Sequence, residues 1–313
     1  MATTLDLTTT YAGEKAGDYI AAALLSARTI ENGGVTVRPN IKFKQVLKKV
    51  AMDGLIADGS CDYDPTGTVT INENILEPKE FQVNYTLCKQ EFRQDWDAES
   101  MGYSAHDVLP PSFSEFIISR TIAEVATEND RIMWHGDDTA NAGEYDGFIT
   151  LATADASVID VSGASGGVTN SNVLVELGKV VDAIPTEVYG KEDLFIFVAN
   201  NVWRAYKRAL GGFQSGGQGG AGYANQGNNQ DLDVLQFDGV KLFPVDTMED
   251  SYMFAAQASN LHFGTGLMSD HNEVKLLDMA NLDGSQNVRF VMRYTAGVQY
   301  RFGGEIVLYT PTA

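Results

Sequence analysis

Few side chains of this sequence have the types and spacing that enzyme chemistry requires. The run His135-Gly-Asp-Asp places an imidazole beside two carboxylates, a donor set that metal ions accept. Because His135 ends a predicted helix, we expect its imidazole instead to complement the negative end of the helix dipole, with the aspartates in a solvated turn. His262, His271 and Glu273 also lie near one another in sequence, but nothing fixes a nucleophile or a third ligand beside them.

The motifs that bind nucleotides or catalytic metals are missing from the chain. The sequence has no P-loop, no HExxH and no CxxC pair. The glycine-rich tract at 211–230 follows a predicted helix, whereas a phosphate-binding loop follows a strand and opens a helix. Cys61 and Cys88 are too few for a disulfide framework, and we expect both to be reduced thiols. The sequence therefore predicts no enzymatic activity, no cofactor and no metal.

Composition excludes two further classes of protein. The chain has 313 residues, of which 44% are hydrophobic, so it can form one large or two medium domains. Its 22 Lys and Arg against 42 Asp and Glu give a net charge of −20, which repels the phosphate backbone and argues against a dedicated nucleic-acid binder. The first residues lack a signal-peptide pattern and no apolar run is long enough to span a bilayer, so we expect a soluble protein made in the cytoplasm, without a membrane partner.

Three segments have the clearest periodicity. Residues 112–135 carry one apolar stripe at helical spacing and predict a long helix. Residues 173–210 predict a helix–strand–helix unit, because the continuous apolar run at 194–199 is typical of a strand buried on both faces. From 288 to 302 every even position is apolar, which predicts one very long strand that Gly297 allows to bend.

Other segments give shorter elements. Residues 1–12 are predicted as an arm with little to pack on, and 14–31 as a short amphipathic helix. Short strands are expected at Phe148-Ile149 and at 158–161. A hairpin is expected at 234–243, around the favourable two-residue turn Asp-Gly.

A basic stretch precedes a strong β-turn signal, Tyr63-Asp-Pro-Thr-Gly67. Strands at 68–71 and 81–87 are predicted on the return limb of this hairpin. Its apolar content near the turn is too low for a core, so it is either a solvent-exposed loop or an arm that packs on another subunit. The basic residues of the stretch are Arg38, Lys42, Lys44, Lys48 and Lys49.

Four features together favour a subunit that forms a closed surface with its copies through heterologous contacts. They are an arm without a core, a long helix, a very long strand and the lack of catalytic residues. We hypothesise that the basic stretch contacts carboxylates of a neighbour, and that changing Lys48 and Lys49 to Glu abolishes assembly without unfolding the monomer. The candidate intersubunit residues beyond the basic stretch are Asp64, Gly67, Glu91, Asp95, Asp97, Glu99, Glu115, Glu124 and Glu128.

In the order of its elements the sequence resembles the major capsid proteins of tailed bacteriophages, whose fold is shared with encapsulins. The resemblance covers nearly the whole chain, although no short motif is diagnostic. The segments that carry it are Asp64-Pro-Thr-Gly67, Phe81-Gln-Val-Asn-Tyr-Thr-Leu-Cys-Lys-Gln-Glu-Phe92, the helix 113–135, the unit 173–210, Val234-Leu-Gln-Phe-Asp-Gly-Val-Lys-Leu-Phe243 and the strand 288–302.

The resemblance implies an α+β capsid fold with a defined domain order. The implied parts are an N-terminal arm at 1–34, an extended E-loop hairpin with flanking strands at 35–92, a P-domain at 93–165 with the spine helix 112–135, an α/β A-domain at 166–270, and C-terminal strands at 271–313 that return to the P-domain. The glycine-rich tract is then an axial loop near five-fold and six-fold axes. The glycines expected to form this axial loop are Gly211, Gly212, Gly216, Gly217, Gly219, Gly220 and Gly222.

The resemblance also implies the function and partners of the chain. We expect copies of it to assemble non-covalently into hexamers and pentamers of an icosahedral shell, which encloses DNA without sequence-specific binding. A separate scaffold protein and a portal are expected partners, and a decoration protein is a further candidate. The protein is then a virion component assembled in the host cytoplasm. The alternatives are an encapsulin-like compartment shell, a β-rich adhesin and, third, an enzyme.

Overall fold

The computed structural model describes residues 9–12, 28–41, 43–56, 58–59, 67–88, 111–210, 235–266, 273–281 and 284–312. The helices within these residues are α1 (Arg28–Glu31), α2 (Pro111–His135), α3 (Phe148–Ala154), α4 (Val173–Ala183) and α5 (Asn200–Ala209). The strands are β1 (Thr9–Ala12), β2 (Thr36–Arg38), β3 (Gln45–Asp53), β4 (Thr68–Leu76), β5 (Lys79–Cys88), β6 (Ile159–Ser165), β7 (Leu194–Ala199), β8 (Gln236–Phe237), β9 (Val240–Val245), β10 (Met253–Gln257), β11 (Leu261–Thr265), β12 (Glu273–Asp278), β13 (Asn287–Tyr300) and β14 (Val307–Thr312).

Strand β13 is the centre of the first six-stranded sheet, the long sheet. It pairs with β5 on one edge and with β12 and then β11 on the other, while β1 and β2 extend the sheet. Its even-numbered residues are buried, as the alternating pattern predicts, and the rings of Phe290 and Tyr85 stack at 5.0 Å. The predicted long strand and the predicted helix at 112–135 are both confirmed.

A second six-stranded sheet, the α/β sheet, has the order β6-β14-β10-β7-β9-β8. Strands β7 and β9 are parallel and α5 connects them, so this part is an α/β crossover unit. Successive residues of a strand point to opposite faces, and nearly every residue of β7 is buried, so both faces of this strand are covered. The predicted helix–strand–helix unit and the hairpin at Asp238-Gly239 are confirmed.

Trp134, near the end of α2, joins the helix to the α/β sheet. Its indole is fully buried and packs against Phe148, Phe197 and Phe254 at centroid distances of 5.6, 4.9 and 5.6 Å. Its ring N–H donates to the hydroxyl of Thr29 at 3.2 Å. Side chains of both sheets and of α2 belong to one continuous hydrophobic core.

Several expectations for individual segments are wrong. Residues 9–12 were expected to have little to pack on, but they pair with β12, because backbone hydrogen bonds hold an edge strand whose sequence has no apolar alternation. Phe148-Ile149 begins helix α3 rather than a strand, since so short an apolar run does not distinguish the two periods. The predicted helix at 14–31 is described only at its end, as α1, and the rest lies outside the described residues.

The two sheets do not divide at the predicted segment boundaries. The α/β sheet takes β6 and β14 from outside 166–270, and β14 pairs with both β6 and β10. The C-terminal segment 271–313 therefore contributes to both sheets, with β12 and β13 in the long sheet and β14 in the α/β sheet.

Candidate assembly surface on the hairpin arm

Strands β3 and β4 form a two-stranded ribbon that belongs to neither sheet. They are antiparallel from Gln45 opposite Leu76 at the base to Asp53 opposite Thr68 near the tip. We call residues 43–77 the arm. The return limb of the hairpin is thus β4. The strand at 81–87, which was also predicted on the return limb, instead pairs with β13, because its alternating apolar side chains complete the core of the long sheet.

The base of the arm is fixed to the end of β13. The Asn74 side-chain amide donates to the carbonyl oxygens of Tyr300 and Arg301 at 3.0 and 3.3 Å, and that of Gln299 donates to the carbonyl of Ile75 at 3.4 Å. A small cluster of buried side chains lies beside these bonds. Its members are Ile41, Leu47 and Leu76.

Gly297 permits this attachment. A Cβ atom there would lie 3.0 Å from the Cα of Pro78 and 3.1 Å from the carbonyl oxygen of Glu77, both backbone atoms that cannot move aside alone. The glycine in the long strand therefore serves close approach of the arm, and the bend expected at this position stays a prediction.

Two exposed ion pairs also lie at the base. The ammonium of Lys44 is 2.7 Å from the carboxylate of Glu77, and Lys79 pairs with Asp138 in the turn after α2. All four side chains are about half exposed, so each pair contributes little to stability, roughly 0–1 kcal/mol.

The two faces of the arm differ in chemistry. Paired residues on one face are apolar on both strands, apart from Lys48 opposite Glu73 in the middle. We call this the apolar face. The exposed fractions of its apolar side chains are Val46 44%, Val50 50%, Met52 60%, Val69 54%, Ile71 60% and Ile75 49%. The opposite face carries Leu47 and Leu76, which are buried at the base, and includes the exposed polar residues Asp53, Thr68 and Thr70 near the distal end.

Gly67 closes the distal end of the arm. Its φ is +85°, and a Cβ atom would lie 2.8 Å from the carbonyl oxygen of Asp53, so a side chain is excluded there. Beyond it, Leu55 and Ile56 are 52% and 96% exposed. Apolar surface therefore continues from the ribbon to the tip.

The predicted intersubunit residues are only partly brought together. Lys44 and Lys48 lie on the arm, Gly67 at its distal end, and Arg38 at its foot in β2. Glu124 and Glu128 are exposed on α2, and Glu128 accepts from Arg131 at 2.7 Å. The side chains of Lys49 and Glu115 are not described, and the remaining candidates lie outside the described residues: Lys42, Asp64, Glu91, Asp95, Asp97, Glu99 and the axial-loop glycines.

The sequence analysis identified the arm by its positive charge, but the most unusual property of the arm is its exposed apolar face. The signal was present as an alternation in β3, Val46-x-Lys48-x-Val50-x-Met52, and again in β4. A polar residue in the middle of each strand interrupts this alternation, which is why the sequence analysis missed the apolar face.

The residues considered for metal binding serve structural roles. The Nε2 atom of His135 accepts a hydrogen bond from the backbone N–H of Glu249 at 3.0 Å, and burial lowers the pKa of this imidazole. The expected interaction of a charged imidazole with the helix dipole is therefore wrong. Asp137 caps a turn through the backbone N–H groups of Thr139 and Ala140. Within the described part of the chain, no group of His, Cys, Asp and Glu side chains could hold a metal ion.

His262 is buried in β11 near the foot of the arm. Among the described residues, neither of its ring nitrogens has a hydrogen-bond partner. Burial, together with the nearby guanidinium groups of Arg38 and Arg301, lowers the pKa of the imidazole to about 4. At neutral pH it is an uncharged core residue.

One catalytic pattern that the sequence analysis missed occurs at Gly163-Ala-Ser165-Gly-Gly167, which has the spacing of a nucleophile elbow. That motif requires a sharp turn from strand directly into helix. Here Ser165 ends the edge strand β6 and is exposed, and the next helix begins only at Val173. The geometry is not that of a nucleophile elbow.

None of the helices in the described residues is long and apolar enough to cross a membrane. No protein-family model matches the chain, and no protein of curated function matches its sequence.

The fold, in contrast, has many solved counterparts. A structure from Gordonia phage Cozz is 14% identical with a TM-score of 0.57, covering 91% of this chain and 87% of that one. The capsid of an empty GTA particle is 14% identical with a TM-score of 0.57, and the match covers 100% of this chain and 96% of that one. The capsid of Myoviridae phage XM1 is 12% identical with a TM-score of 0.56, and the match covers 100% of this chain and 95% of that one. The chain therefore has the fold of tailed-phage capsid proteins.

Proposed function

We propose that the chain is a major capsid protein, whose copies assemble through the arm into hexamers and pentamers of a closed icosahedral shell around DNA. The observation that carries the proposal is the apolar face of the arm. A two-stranded hairpin is marginally stable in water, and here the described residues leave the apolar side chains beyond the base 44–60% exposed.

The energetics favour a second copy as the cover. Full burial of a Val, Ile or Met side chain is worth about 1.5–3 kcal/mol, so covering the exposed half of each contributes roughly 1 kcal/mol. The six side chains of the apolar face thus supply several kcal/mol for each arm. A single contact of this strength is weak, but in a closed shell each copy makes several such contacts at the same time.

The solved structures of the same fold support the proposal, since they include capsids of phage and GTA particles. The net charge of −20 is compatible with it, because a container that does not adhere to DNA does not oppose packaging or release. The role is structural, without catalysis. A separate scaffold protein and a portal belong to the proposal as partners, and the virion as location.

Electron microscopy of the purified full-length chain, alone and produced with the products of its neighbouring genes, tests this function. We expect closed shells of uniform size in at least one of the two preparations. A chain that stays monomeric in both, at every concentration, contradicts the proposal. Shells that enclose an enzyme rather than DNA indicate an encapsulin-like compartment.

A further inference from the structure

Helix α5 of the α/β sheet carries a basic face. Arg204, Lys207 and Arg208 are exposed, and their spacing of three and four residues places them on one side of the helix. The opposite side packs into the core through Val202 and Tyr206. The helix contains no acidic residue, and no ion pair joins the three cations to any other described residue.

An acidic loop lies at the other end of this helix, between β9 and β10. Its exposed carboxylates are those of Asp246, Glu249 and Asp250, three in five residues. The Asn200 amide, in the first residue of α5, donates to Asp246 at 3.2 Å, so the loop adjoins the start of the helix. Arg204 and Arg208 are four and eight residues further along, about 6 and 12 Å at 1.5 Å per residue, so the basic face extends away from the loop, and no described ion pair joins the two on one subunit.

The acidic loop is held in place from behind. Thr247 donates from its hydroxyl to the carboxylate of Asp130 at 2.8 Å, and the backbone N–H of Glu249 donates to His135 at 3.0 Å. Met248 is buried between these contacts. Both Asp130 and His135 belong to α2, so the long helix fixes the loop that displays the carboxylates.

We propose that the basic face of α5 contacts the acidic loop 246–250 of an adjacent copy, a head-to-tail contact that closes a ring of subunits. The inference rests on the proposed function, since it names a contact within the assembled shell. A heterologous contact needs two different and complementary patches on each copy, and a rotation between them closes a ring. Opposite charges fix the register of such a contact and disfavour wrong pairings.

Duplex DNA is another polyanion that a basic helix face can meet. The structure favours a protein partner, because the chain carries a net charge of −20 and the same subunit displays the exposed carboxylates of the acidic loop near the start of the helix. The acidic loop and the net negative charge both repel a phosphate backbone. A second copy, in contrast, presents an acidic loop of matching size to the basic face.

Charge exchange tests the contact. One variant carries Lys207→Glu and Arg208→Glu, a second carries Glu249→Lys and Asp250→Lys, and a third combines all four changes and restores the wild-type net charge. Each pair alone is expected to lower the assembled fraction about tenfold or more, because like charges face each other across the contact. The combined variant is expected to assemble to within about twofold of wild type. Sedimentation and electron microscopy measure assembly, and melting curves confirm that each variant is folded.

Three outcomes overturn the inference. The first variant assembles as wild type does; the combined variant fails to recover; or the first variant assembles normally but loses binding of a labelled DNA duplex, which assigns the basic face to nucleic acid. In all three the wild type still forms shells. A wild type that forms none contradicts the proposed function itself, so the two failures are distinguishable.

Discussion

At the scale of one residue, the buried His262 near the foot of the arm is held in its neutral form. Its imidazole is 2% exposed and lies near two guanidinium groups, so the protonated ring is excluded both by burial and by like charge. The long sheet tolerates this histidine because the neutral ring behaves as a flat, mostly apolar side chain.

The neutral state of His262 predicts a pH-dependent stability. Its folded-state pKa of about 4 lies below the unfolded value of about 6.5, so the unfolded chain takes up the proton first as pH falls. Stability from this residue is complete above about pH 6.5 and decreases toward pH 4, by as much as roughly 3 kcal/mol at 1.36 kcal/mol per pKa unit.

Unfolding of the unassembled chain between pH 7.5 and 4, for wild type and His262→Leu, measures this effect. Other titrating groups, such as His135 with its own lowered pKa, remain in both proteins, so the difference between the two curves isolates His262. Parallel curves, or an imidazole that titrates near its ordinary pKa by NMR, contradict the prediction.

At the scale of elements, the arm has an apolar face that the described residues leave about half exposed, and a second copy is its proposed cover. Val50 and Ile71 are directly opposite each other on the apolar face, and replacing both by Ser removes apolar surface without touching the core. We expect the assembled fraction to fall about tenfold or more, while the body of the unassembled chain stays folded, because both side chains lie outside the core.

The control for this variant lies on the other face of the same strand. Changing Thr68 and Thr70 to Ser alters two exposed β4 residues that do not belong to the apolar face, and assembly should be unchanged. Sedimentation velocity measures both variants. Equal assembly of the two variants is the result that argues against the apolar face as the docking surface.

The attachment of the arm to the body makes a second prediction. Gly297→Val places a side chain against the backbone of Pro78 and Glu77, so the base of the arm must shift and both stability and assembly should decrease. The matched control is Gly178→Ala in α4, where a Cβ meets no atom within 4 Å and helix propensity favours Ala by about 0.5–1 kcal/mol. A melting temperature for Gly297→Val equal to wild type contradicts the assigned role.

Elements with a long, regular pattern could be predicted from the sequence. Strand β13, helix α2 and the unit from α4 to α5 follow from periodicity alone, since each buries one face or both faces over many residues. The partner of a strand is not encoded in its period, so β5 was assigned to the hairpin although it pairs with β13. Likewise β1 is held by backbone bonds to β12, which leave no side-chain pattern.

The candidate site was less predictable than the fold. The basic residues correctly located an unusual arm, yet Lys44 already has a partner in Glu77 of the same chain. The apolar face arises from the alignment of apolar residues across β3 and β4, and this alignment depends on the register of the two strands, which the pattern within each strand does not specify.

At the scale of the whole molecule, one core joins the two sheets, and the arm carries an apolar face that the described residues leave about half exposed. If a second copy covers this face, as we propose, the body keeps its shape while the arm contacts the next copy, which is what a subunit of a shell requires.

Cross-linking from the apolar face tests this account most directly. A photo-reactive amino acid in place of Ile71, in assemblies grown from a mixture of unlabelled and heavy-nitrogen-labelled chains, reports whether the residue contacts its own chain or another. We predict cross-linked peptide pairs that combine both isotopes, formed only in the assembled state. Cross-links confined to pairs of a single isotope, with none between chains, contradict the claim that a second copy covers the arm.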